Sequence, residues 1–459
     1  MSRELISVIL AAGKSEAMKS EKPCAVFPVL GRPMASYVID AVTKAGSDKN
    51  VMVVGNDGES IKEAFGETVD YVCQPEPLGT FDAVLKAREY FEESSSYVIV
   101  LPVDAPLIDE QTIRHALEYH KEFDNQVTII TAIVNNPEGY GRIIRNGAGD
   151  VAAIVEEKYA NRNELDINEI NSSMYIFNSE ALLYAIDHYE SLSDSYDKNN
   201  LIHSVEVLIK AGRRVGAYDA DEPETILGIN DRIQLFEAEA VMRAKINSMH
   251  MRNGVTIMAP AVTYIDPDVV IGSDTVIEPN VHLRKGAVIG KNVRVGANSI
   301  ITSSIVHDGV DILSSVMIDS EVCEGAHIGP FAYLRPNSKI GKNVKIGDFV
   351  EIKNATLDEG TKVSHLTYVG DTDVGKHVNF GCGCVTVNYD GKKKYRSTIG
   401  DNAFIGCNTN LVSPVTVKDN AYIAAGSTIT DEVPESALAI ARSRQINKLD
   451  WKDRRKQEK

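Results

Sequence analysis

The chain has 459 residues, in which 48 Lys and Arg stand against 65 Asp and Glu for a net charge of −17. This length suffices for two or three domains with sizeable cores, and the acidic balance disfavours nonspecific binding to nucleic acid. Six cysteines without a C-x-x-C pair indicate a reduced cytoplasmic protein, for which we expect neither disulfide bonds nor a zinc site.

The first 231 residues alternate short apolar runs with amphipathic segments, which is typical of an α/β domain with an open, mostly parallel, Rossmann-like sheet. The predicted strands are Ile6–Ala12, Val51–Gly55 and Tyr97–Val103, and the predicted helices are Met34–Ala45, Ser60–Phe65 and Gln111–Phe123. The first run is too short for a signal peptide. No longer run approaches the ~18 apolar residues of a membrane span, so no membrane association is expected.

Two features of this half predict phosphate and metal chemistry. The first strand runs into Leu10-Ala11-Ala12-Gly13-Lys14, where backbone amides and a lysine can surround one phosphate. Asp104 follows another apolar strand and offers the hard oxygen ligands that magnesium prefers. An isolated Asp at such a position serves about equally often as a loop cap.

A linker helix is predicted between the two halves of the chain. Asp231 can cap a helix over residues 232–253, and Asn253-Gly254 would end it. This interpretation gives an N-terminal domain of residues 1–231 and a C-terminal domain of residues 254–459.

After Gly254 an aliphatic residue recurs every six positions, a period that fits neither a helix nor an amphipathic strand. One register holds Ile265, Ile271, Ile277, Leu283, Ile289, Val295 and Ile301; a second holds Val310, Val316, Val322, Ile328, Leu334, Ile340, Ile346 and Ile352; a third holds Ile399, Ile405, Leu411, Val417, Ile423 and Ile429. The repeat predicts an all-β domain, a three-sided parallel β-helix whose coils each contain 18 residues.

Two register breaks predict that extra residues leave the coil as bulges or loops. Ile301 and Val310 are 9 residues apart, and Ile352 and Ile399 are 47 apart. The second interval is rich in His, Asn, Tyr and Lys, so chemistry is expected there.

Within and beside that interval, the spacing points to an anion and a base. Arg335 and Lys353 are 18 residues apart, so they would stack on adjacent coils and hold a phosphate between them. His365 suits the removal of a proton from an attacking amine, although an isolated histidine is more often structural. A zinc site of the hexapeptide carbonic anhydrase type needs more histidines at compatible spacings than His365 and His377 supply. The alternative interpretation of the basic run 392–394 is a solvated loop without a ligand.

Four motifs, together with the ladder, carry a resemblance to a known family. Leu334-Arg335-Pro336, His365-Leu366-Thr367-Tyr368, Asn388-Tyr389-Asp390-Gly391 and Ala439-Ile440-Ala441-Arg442 resemble the bacterial bifunctional N-acetylglucosamine-1-phosphate uridylyltransferase/glucosamine-1-phosphate N-acetyltransferases. The resemblance spans the chain and implies a left-handed β-helix, a homotrimer and a role in making cell-wall precursors.

The resemblance also implies roles for individual residues of the C-terminal half. His365 would be the general base. Glucosamine 1-phosphate would be held by Arg335, Lys353, Tyr368, Asn379 and Lys394. Acetyl-CoA, the co-substrate, would lie along Asn388, Tyr389, Cys407, Ala425 and Arg442.

For the N-terminal half the resemblance implies a site for UTP, N-acetylglucosamine 1-phosphate and magnesium. The nucleotide-sugar would contact Leu10, Ala11, Ala12, Gly13, Gln74, Gly79, Thr80, Gly141, Glu156, Asn171 and Asn230. Asp104 and Asn230 would bind Mg²⁺.

The N-terminal half departs from the family pattern where positive charge is needed. Gly-Thr-Arg-Met is replaced by Ser15-Glu16-Ala17-Met18, and Pro-Lys by Pro23-Cys24. Two cations are therefore absent from the position where the transferred phosphates must be stabilised. Val103 replaces a glycine, and residues 171–173 and 195–202 also differ. Lys22 is a candidate replacement cation.

These observations leave three functions open. The first is an acetyltransferase whose uridylyltransferase domain is impaired, which the missing cations favour. The second is a fully bifunctional enzyme. The third is a noncatalytic sugar-nucleotide sensor or scaffold, which would need only the aliphatic ladder and not the polar motifs.

Overall fold

The computed structural model describes residues 3–13, 16–56, 58–189 and 199–452. It contains two compact units, Met1–Met242 and Arg243–Lys459. The strands of the first unit are β1 Glu4–Ala11, β2 Pro28–Val29, β3 Arg32–Pro33, β4 Lys49–Val54, β5 Asp70–Cys73, β6 Ser96–Pro102, β7 Val127–Ile133, β8 Gly141–Arg145, β9 Val151–Val155, β10 Glu169–Asn178 and β11 Val215–Asp219. The helices are α1 Met34–Lys44, α2 Gly58–Phe65, α3 Thr80–Lys86, α4 Glu110–Glu122, α5 Arg162–Leu165, α6 Ser179–Asp187, α7 Ile202–Lys210 and α8 Arg232–Arg252.

The main sheet of the first unit has the strand order β11-β7-β10-β6-β1-β4-β5. All pairs along this path are parallel except the two that β10 makes with β6 and β7, so the predicted α/β class is confirmed. The chain fills the side of β1 that holds β4 and β5 before it crosses to β6 on the other side. This reversal lies at the carboxyl ends of β1 and β6, and such a switch point is where open α/β sheets bind ligands.

The helix α8 begins at Arg232 and ends at Arg252, one residue before the end predicted for the linker. The carboxylate of Asp231 accepts hydrogen bonds from the backbone amides of Ile233 and Gln234, at 2.9 Å each. Gly254 follows the helix with φ of +90°, a conformation that glycine adopts without strain. The division between the two compact units lies within this helix.

The second unit is a parallel β-helix with three faces. Face one contains Thr256–Ile257, Val276–Ile277, Arg294–Val295, Asp311–Ile312, His327–Ile328, Lys345–Asp348, Lys362–His365, Asn379–Phe380, Phe404–Ile405, Tyr422–Ile423 and Leu438–Ala439. Face two contains Tyr264–Ile265, His282–Leu283, Ile300–Thr302, Val316–Ile318, Tyr333–Leu334, Glu351–Lys353, Tyr368–Gly370, Val385–Val387, Asn410–Val412 and Thr428–Ile429. Face three contains Val270–Ile271, Val288–Ile289, Ile305–Val306, Ser320–Val322, Ser338–Ile340, Thr356–Leu357, Thr372–Val374, Ser397–Ile399 and Thr416–Val417.

The ladder confirms the 18-residue coil but corrects the first register break. Ile265 pairs with Leu283, one coil later, and the aliphatic side chains form one continuous core. The prediction that residues leave the coil between Ile301 and Val310 was wrong. The inward residues there are Val306, Ile312, Met317 and Val322, so three steps shorten to five residues, and Val310 and Val316 do not continue the hexad.

The second break does contain a loop. The coil continues through Leu357, Val363, Val369, Val374, Phe380 and Thr386, all buried, before the next inward residue, Ile399. The seven residues in excess of one hexad lie in the segment 388–396. A bridge between Tyr389 and Lys394 closes this segment, and the carboxylate of Asp390 accepts hydrogen bonds from the amides of Lys392 and Lys393.

Candidate functional site

Three cations gather beside face two of the β-helix. Leu334 pairs with Ile352, and the amide of Arg335 donates to the carbonyl of Ile352, so Arg335 and Lys353 lie on adjacent coils as predicted. The close approach of the Lys394 ammonium, desolvation and the nearby Arg335 lower the pKa of Lys353. Like charges held this close raise the free energy of the empty site, and an anion placed among them relieves the repulsion.

Carboxylates partly balance this cluster. Arg335 forms an ion pair with Glu351 at 2.7 Å, and this pair raises the pKa of the guanidinium. The amide of Asp371 donates to the carbonyl of Lys353, and its charge favours the protonated Lys353. Glu351 and Asp371 therefore offset part of the positive charge of Arg335, Lys353 and Lys394.

Two further predicted residues lie next to the cation cluster. The side-chain amide of Asn388 donates to the hydroxyl of Tyr368 at 3.2 Å and also to the carboxylate of Asp371. Tyr368 is on face two, one coil beyond Glu351. The residues predicted to hold the sugar phosphate and the start of the 388–396 segment are thus connected by hydrogen bonds.

His365 stands at the end of a face-one strand, paired with Asp348 of the preceding coil. Its Nδ1 atom lies 2.7 Å from Oδ1 of Asp348, and this contact, above all, lowers the pKa of the Asp348 carboxyl. A carboxylate only accepts hydrogen bonds, so Nδ1 carries the proton and Nε2 is left as the basic nitrogen. The ring is exposed and oriented, as a general base requires.

His365 and the three cations lie on different faces of the same chain. His365 and Asn379 are on face one, whereas the cation cluster is on face two. An apolar column, Phe331, Phe349 and Leu366, runs along the corner next to His365 with 58–59% of each side chain exposed. The rings of Phe331 and Phe349 stack at 5.4 Å, and all three residues have positive φ.

Three of the residues predicted to bind acetyl-CoA follow one corner toward the end of the β-helix, whereas Asn388 and Tyr389 lie in the 388–396 segment. The amide of Gly426 donates to the carbonyl of exposed Cys407 at 2.8 Å. A Cβ on Gly426 would lie 3.8 Å from Cδ of Arg442. Ala425 precedes Gly426 and is exposed. Cys407, Ala425 and Arg442 therefore follow one another on consecutive coils.

The first unit contains a cavity of about 500 Å³ at the carboxyl ends of β1, β4 and β5. Its walls are Ala11, Ala12, Gly13, Ser20, Glu21, Lys22, Pro23, Gly55, Asn56, Ile61, Gln74, Pro75 and Pro77. Leu10 is the penultimate residue of β1, so it lies in the sheet directly before the wall residues Ala11, Ala12 and Gly13. The predicted Lys14 lies outside the described residues.

The other predicted nucleotide-sugar residues form two neighbouring groups. The side-chain amide of Gln74 donates to the carbonyl of Gly79 and to the carboxylate of Asp82. Helix α3 begins at Thr80, and Gly79, with φ of +111°, is its N-cap residue. In the second group Gly141 pairs with Asn171. A Cβ on Gly141 would lie 3.4 Å from a carboxylate oxygen of Glu156, so glycine keeps this approach open.

The predicted magnesium ligands are also close in the fold. The amide of Ile229 donates to the carbonyl of Asp104 at 2.8 Å, which brings Asn230 next to Asp104. Desolvation raises the pKa of the Asp104 carboxyl to about 6. A desolvated carboxylate and the side-chain oxygen of an asparagine are suitable donors for a hard divalent cation, so these residue types fit the predicted magnesium.

Comparisons with known proteins cover both units. A model described as nucleotidyl transferase matches residues 6–222, and one described as bacterial transferase hexapeptide matches residues 268–303, 319–354 and 396–431. A protein of Acetivibrio thermocellus named "Bifunctional protein GlmU" is 51% identical over 447 residues, 97% of each chain. Proteins of the same name from Clostridium botulinum and Clostridioides difficile are 49% and 46% identical over 98% of each chain.

The chain belongs to the GlmU family. Both of its units match transferase families, so it is a transferase. The name of these GlmU relatives supports a protein with two functions, and it fits the fully bifunctional interpretation better than one with an impaired N-terminal domain. Among the described residues no helix is both long and apolar enough to cross a bilayer.

The structure also shows where the residues that depart from the family's charge pattern lie. Cys24 is buried with its Sγ atom 3.5 Å from Sδ of Met34, so this side chain is directed into the core. Ala17 is exposed, and Lys22 lines the cavity beside Gly13. The departing residues 195–198 lie outside the described residues.

Sequence reasoning missed three acidic residues of the acetyltransferase-like site, namely Asp348, Glu351 and Asp371. The signal for Asp348 was its 17-residue separation from His365, one residue short of a full coil. A count of 18 residues per coil does not place Asp348 opposite His365, because the step from Ile352 to Leu357 has only five residues.

Proposed function

We propose that the C-terminal unit transfers the acetyl group of acetyl-CoA to the amine of glucosamine 1-phosphate. The observation that carries this proposal is the Asp348–His365 pair at 2.7 Å, together with the cation cluster. Arg335, Lys353 and Lys394 would bind the phosphate, with Tyr368 and Asn379 around the sugar. Asn388, Tyr389, Cys407, Ala425 and Arg442 would position acetyl-CoA.

In this reaction Nε2 of His365 would take a proton from the ammonium of the sugar as its nitrogen attacks the thioester carbonyl. The C–N bond forms, the C–S bond breaks, the nitrogen loses its second proton to the departing sulfur, and CoA leaves as the thiol. Asp348 would hold the ring and stabilise the imidazolium, and the cations would fix the sugar through its phosphate.

We infer further that the N-terminal unit couples N-acetylglucosamine 1-phosphate to UTP and releases pyrophosphate, which makes the chain fully bifunctional. The cavity beside Gly13 and the bifunctional relatives support this function. Asp104 and Asn230 would hold Mg²⁺, which offsets charge on the phosphates when bound. Lys22 would supply the cation that Ala17 and Cys24 do not.

One assay with two readouts on the purified protein tests both activities. Free CoA thiol reports acetyl transfer, and pyrophosphate reports uridylyl transfer. Thiol without pyrophosphate would restore the impaired interpretation, and the absence of both would favour the sensor or scaffold.

Asp348 gives a prediction that separates positioning from binding. Asp348→Asn keeps the shape but removes the carboxylate that holds the Nδ1 proton of His365, so the ring is less firmly fixed in its orientation and tautomer. We expect kcat to fall by roughly 10–100-fold, less than the loss of the base itself, with little change in the KM for the sugar phosphate. Steady-state rates, with Glu359→Gln as a partly exposed control, check this result; an unchanged kcat would contradict it.

The exposed apolar column predicts a homotrimer, because the base and the cations of one site would then come from neighbouring chains. Phe349→Asp should lower the mass from three chains to one and abolish acetyl transfer, since a charge replaces an apolar contact. Val270 is equally exposed, at 58%, so Val270→Asp is the matched control. Light scattering measures the mass, and a fully active monomer would contradict the prediction.

A further inference from the structure

A second group of reactive side chains lies on face three of the β-helix, away from the residues assigned above. His307 directly follows the strand Ile305–Val306, and Cys323 directly follows Ser320–Val322. Because Ile305 pairs with Glu321 and Val306 with Val322, these two coils bring His307 beside Cys323. One ligand atom from each of His307, Glu321 and Cys323 lies within 4.8 Å of the other two.

The positions of His307 and Cys323 are unusual for this face. The residue after the inward aliphatic side chain is glycine in five of the nine coils, at Gly272, Gly290, Gly341, Gly375 and Gly400. The position is crowded: a Cβ on Gly290 would lie 2.8 Å from the carbonyl carbon of His307. Two consecutive coils nevertheless carry an imidazole and a thiol here.

The group also has a preformed contact and a favourable charge. His307 Nε2 lies 3.0 Å from a carboxylate oxygen of Glu321, and both side chains remain partly exposed. Lys342 forms an ion pair with Glu324 at 3.5 Å. The carboxylates of Glu321 and Glu324 stand two residues before and one residue after Cys323 in the chain, so a bound cation would meet negative charge here.

We propose that His307, Glu321 and Cys323 form a binding site for Zn²⁺ or a similar divalent metal ion. An imidazole, a carboxylate and a thiolate are all ligands that zinc accepts in tetrahedral geometry, and the fourth position stays open to water. On binding, the thiol releases its proton to solvent and the sulfur–metal bond forms. The site runs against the expectation that the chain has no zinc site, which rested on the absence of a C-x-x-C pair; here Glu321 and Cys323 are 14 and 16 residues from His307.

The ion would connect two coils where the ladder is irregular. The steps from Ile301 to Val306 and from Met317 to Val322 have five residues rather than six, so the β-helix departs from its repeat at this point. A metal bound to the folded coils but not to the unfolded chain stabilises the fold by mass action. The site therefore has a structural role separate from either transfer reaction.

Cobalt tests this proposal because a thiolate ligand gives Co²⁺ an intense near-ultraviolet charge-transfer band, whereas an oxygen site does not. The full-length protein is stripped with EDTA, dialysed and titrated with Co²⁺ alone. We expect the band to saturate at one ion per chain, and Zn²⁺ to displace it and raise the melting temperature. Glu321→Gln should weaken binding by roughly tenfold or more.

Cys323→Ser should abolish the band, and His307→Ala should weaken it, while acetyl transfer continues in both variants. Cys73→Ser is the matched control, because Cys73 is an exposed thiol of the other unit and its loss should change nothing. The absence of the band in the natural protein, or its persistence in Cys323→Ser, would overturn the proposal.

Discussion

Replacement of His365 by alanine is expected to lower the turnover of acetyl transfer by ~10²–10⁴, with a much smaller effect on substrate binding. The amine of the sugar is protonated near neutral pH and cannot attack a thioester until a base removes its proton. His365 is exposed, and its Nδ1 is held by Asp348 at 2.7 Å, so Nε2 is available for that step. Steady-state release of CoA thiol measures the effect.

Two control variants separate the loss of a base from general damage. His377→Ala removes another exposed histidine of the β-helix and should leave turnover unchanged. Arg335→Ala should raise the KM for the sugar phosphate by roughly 10–100-fold, because it removes a charge-assisted contact, with less effect on kcat. If His365→Ala keeps the natural turnover, another group is the base and the Asp348–His365 pair is structural.

The aliphatic residue at every sixth position shows how much of the β-helix can be predicted from the sequence. Each inward aliphatic residue is specified locally, so a count of six predicts the coil from Ile265 to Leu283 without any knowledge of tertiary contacts. The count fails between Ile301 and Val322, where several hydrophobic residues could each be the inward one. Met317, rather than Val316, is buried there because the corner before it is one residue shorter, and composition does not reveal corner length.

The same limit explains which site residues could be predicted. Arg335 and Lys353 are separated by one regular coil, so their adjacency followed from counting. Asp348 and His365 are 17 residues apart, and His307 and Cys323 are 16 apart, so both pairings depend on shortened corners. The resemblance to a family supplied His365, whereas only the three-dimensional register shows its carboxylate partner.

In the first unit, the three strands and three helices predicted from the sequence lie within about two residues of observed elements, because buried parallel strands are continuous apolar runs. The sequence did not show which way the side chain of residue 24 would face. From the sequence, Cys24 was counted as a positive charge missing from the site, whereas its thiol packs against Met34 in the core. Lys22 lines the cavity instead, which moves the test of uridylyl transfer from Cys24 to Lys22.

Lys22→Ala is expected to lower the rate of pyrophosphate release from UTP and N-acetylglucosamine 1-phosphate by ~10²–10³, because each lost charge donor costs about 3 kcal/mol in the transition state. Acetyl transfer by the same variant should be unchanged. Lys19→Ala is the control, since Lys19 is a nearby exposed lysine. Removal of Mg²⁺ by EDTA should stop pyrophosphate release alone, and added Mg²⁺ should restore it.

The opposite change completes this test. Ala17→Arg adds a cation on the loop that leads from Gly13 to Lys22, and it should raise the rate of pyrophosphate release in the natural background and partly rescue Lys22→Ala. A natural protein that releases pyrophosphate equally well without Lys22 would remove that lysine from the site. If the natural protein releases none, whereas Ala17→Arg does, then Lys22 cannot replace the missing charge, and the N-terminal unit is a nucleotidyltransferase fold whose catalysis has been lost.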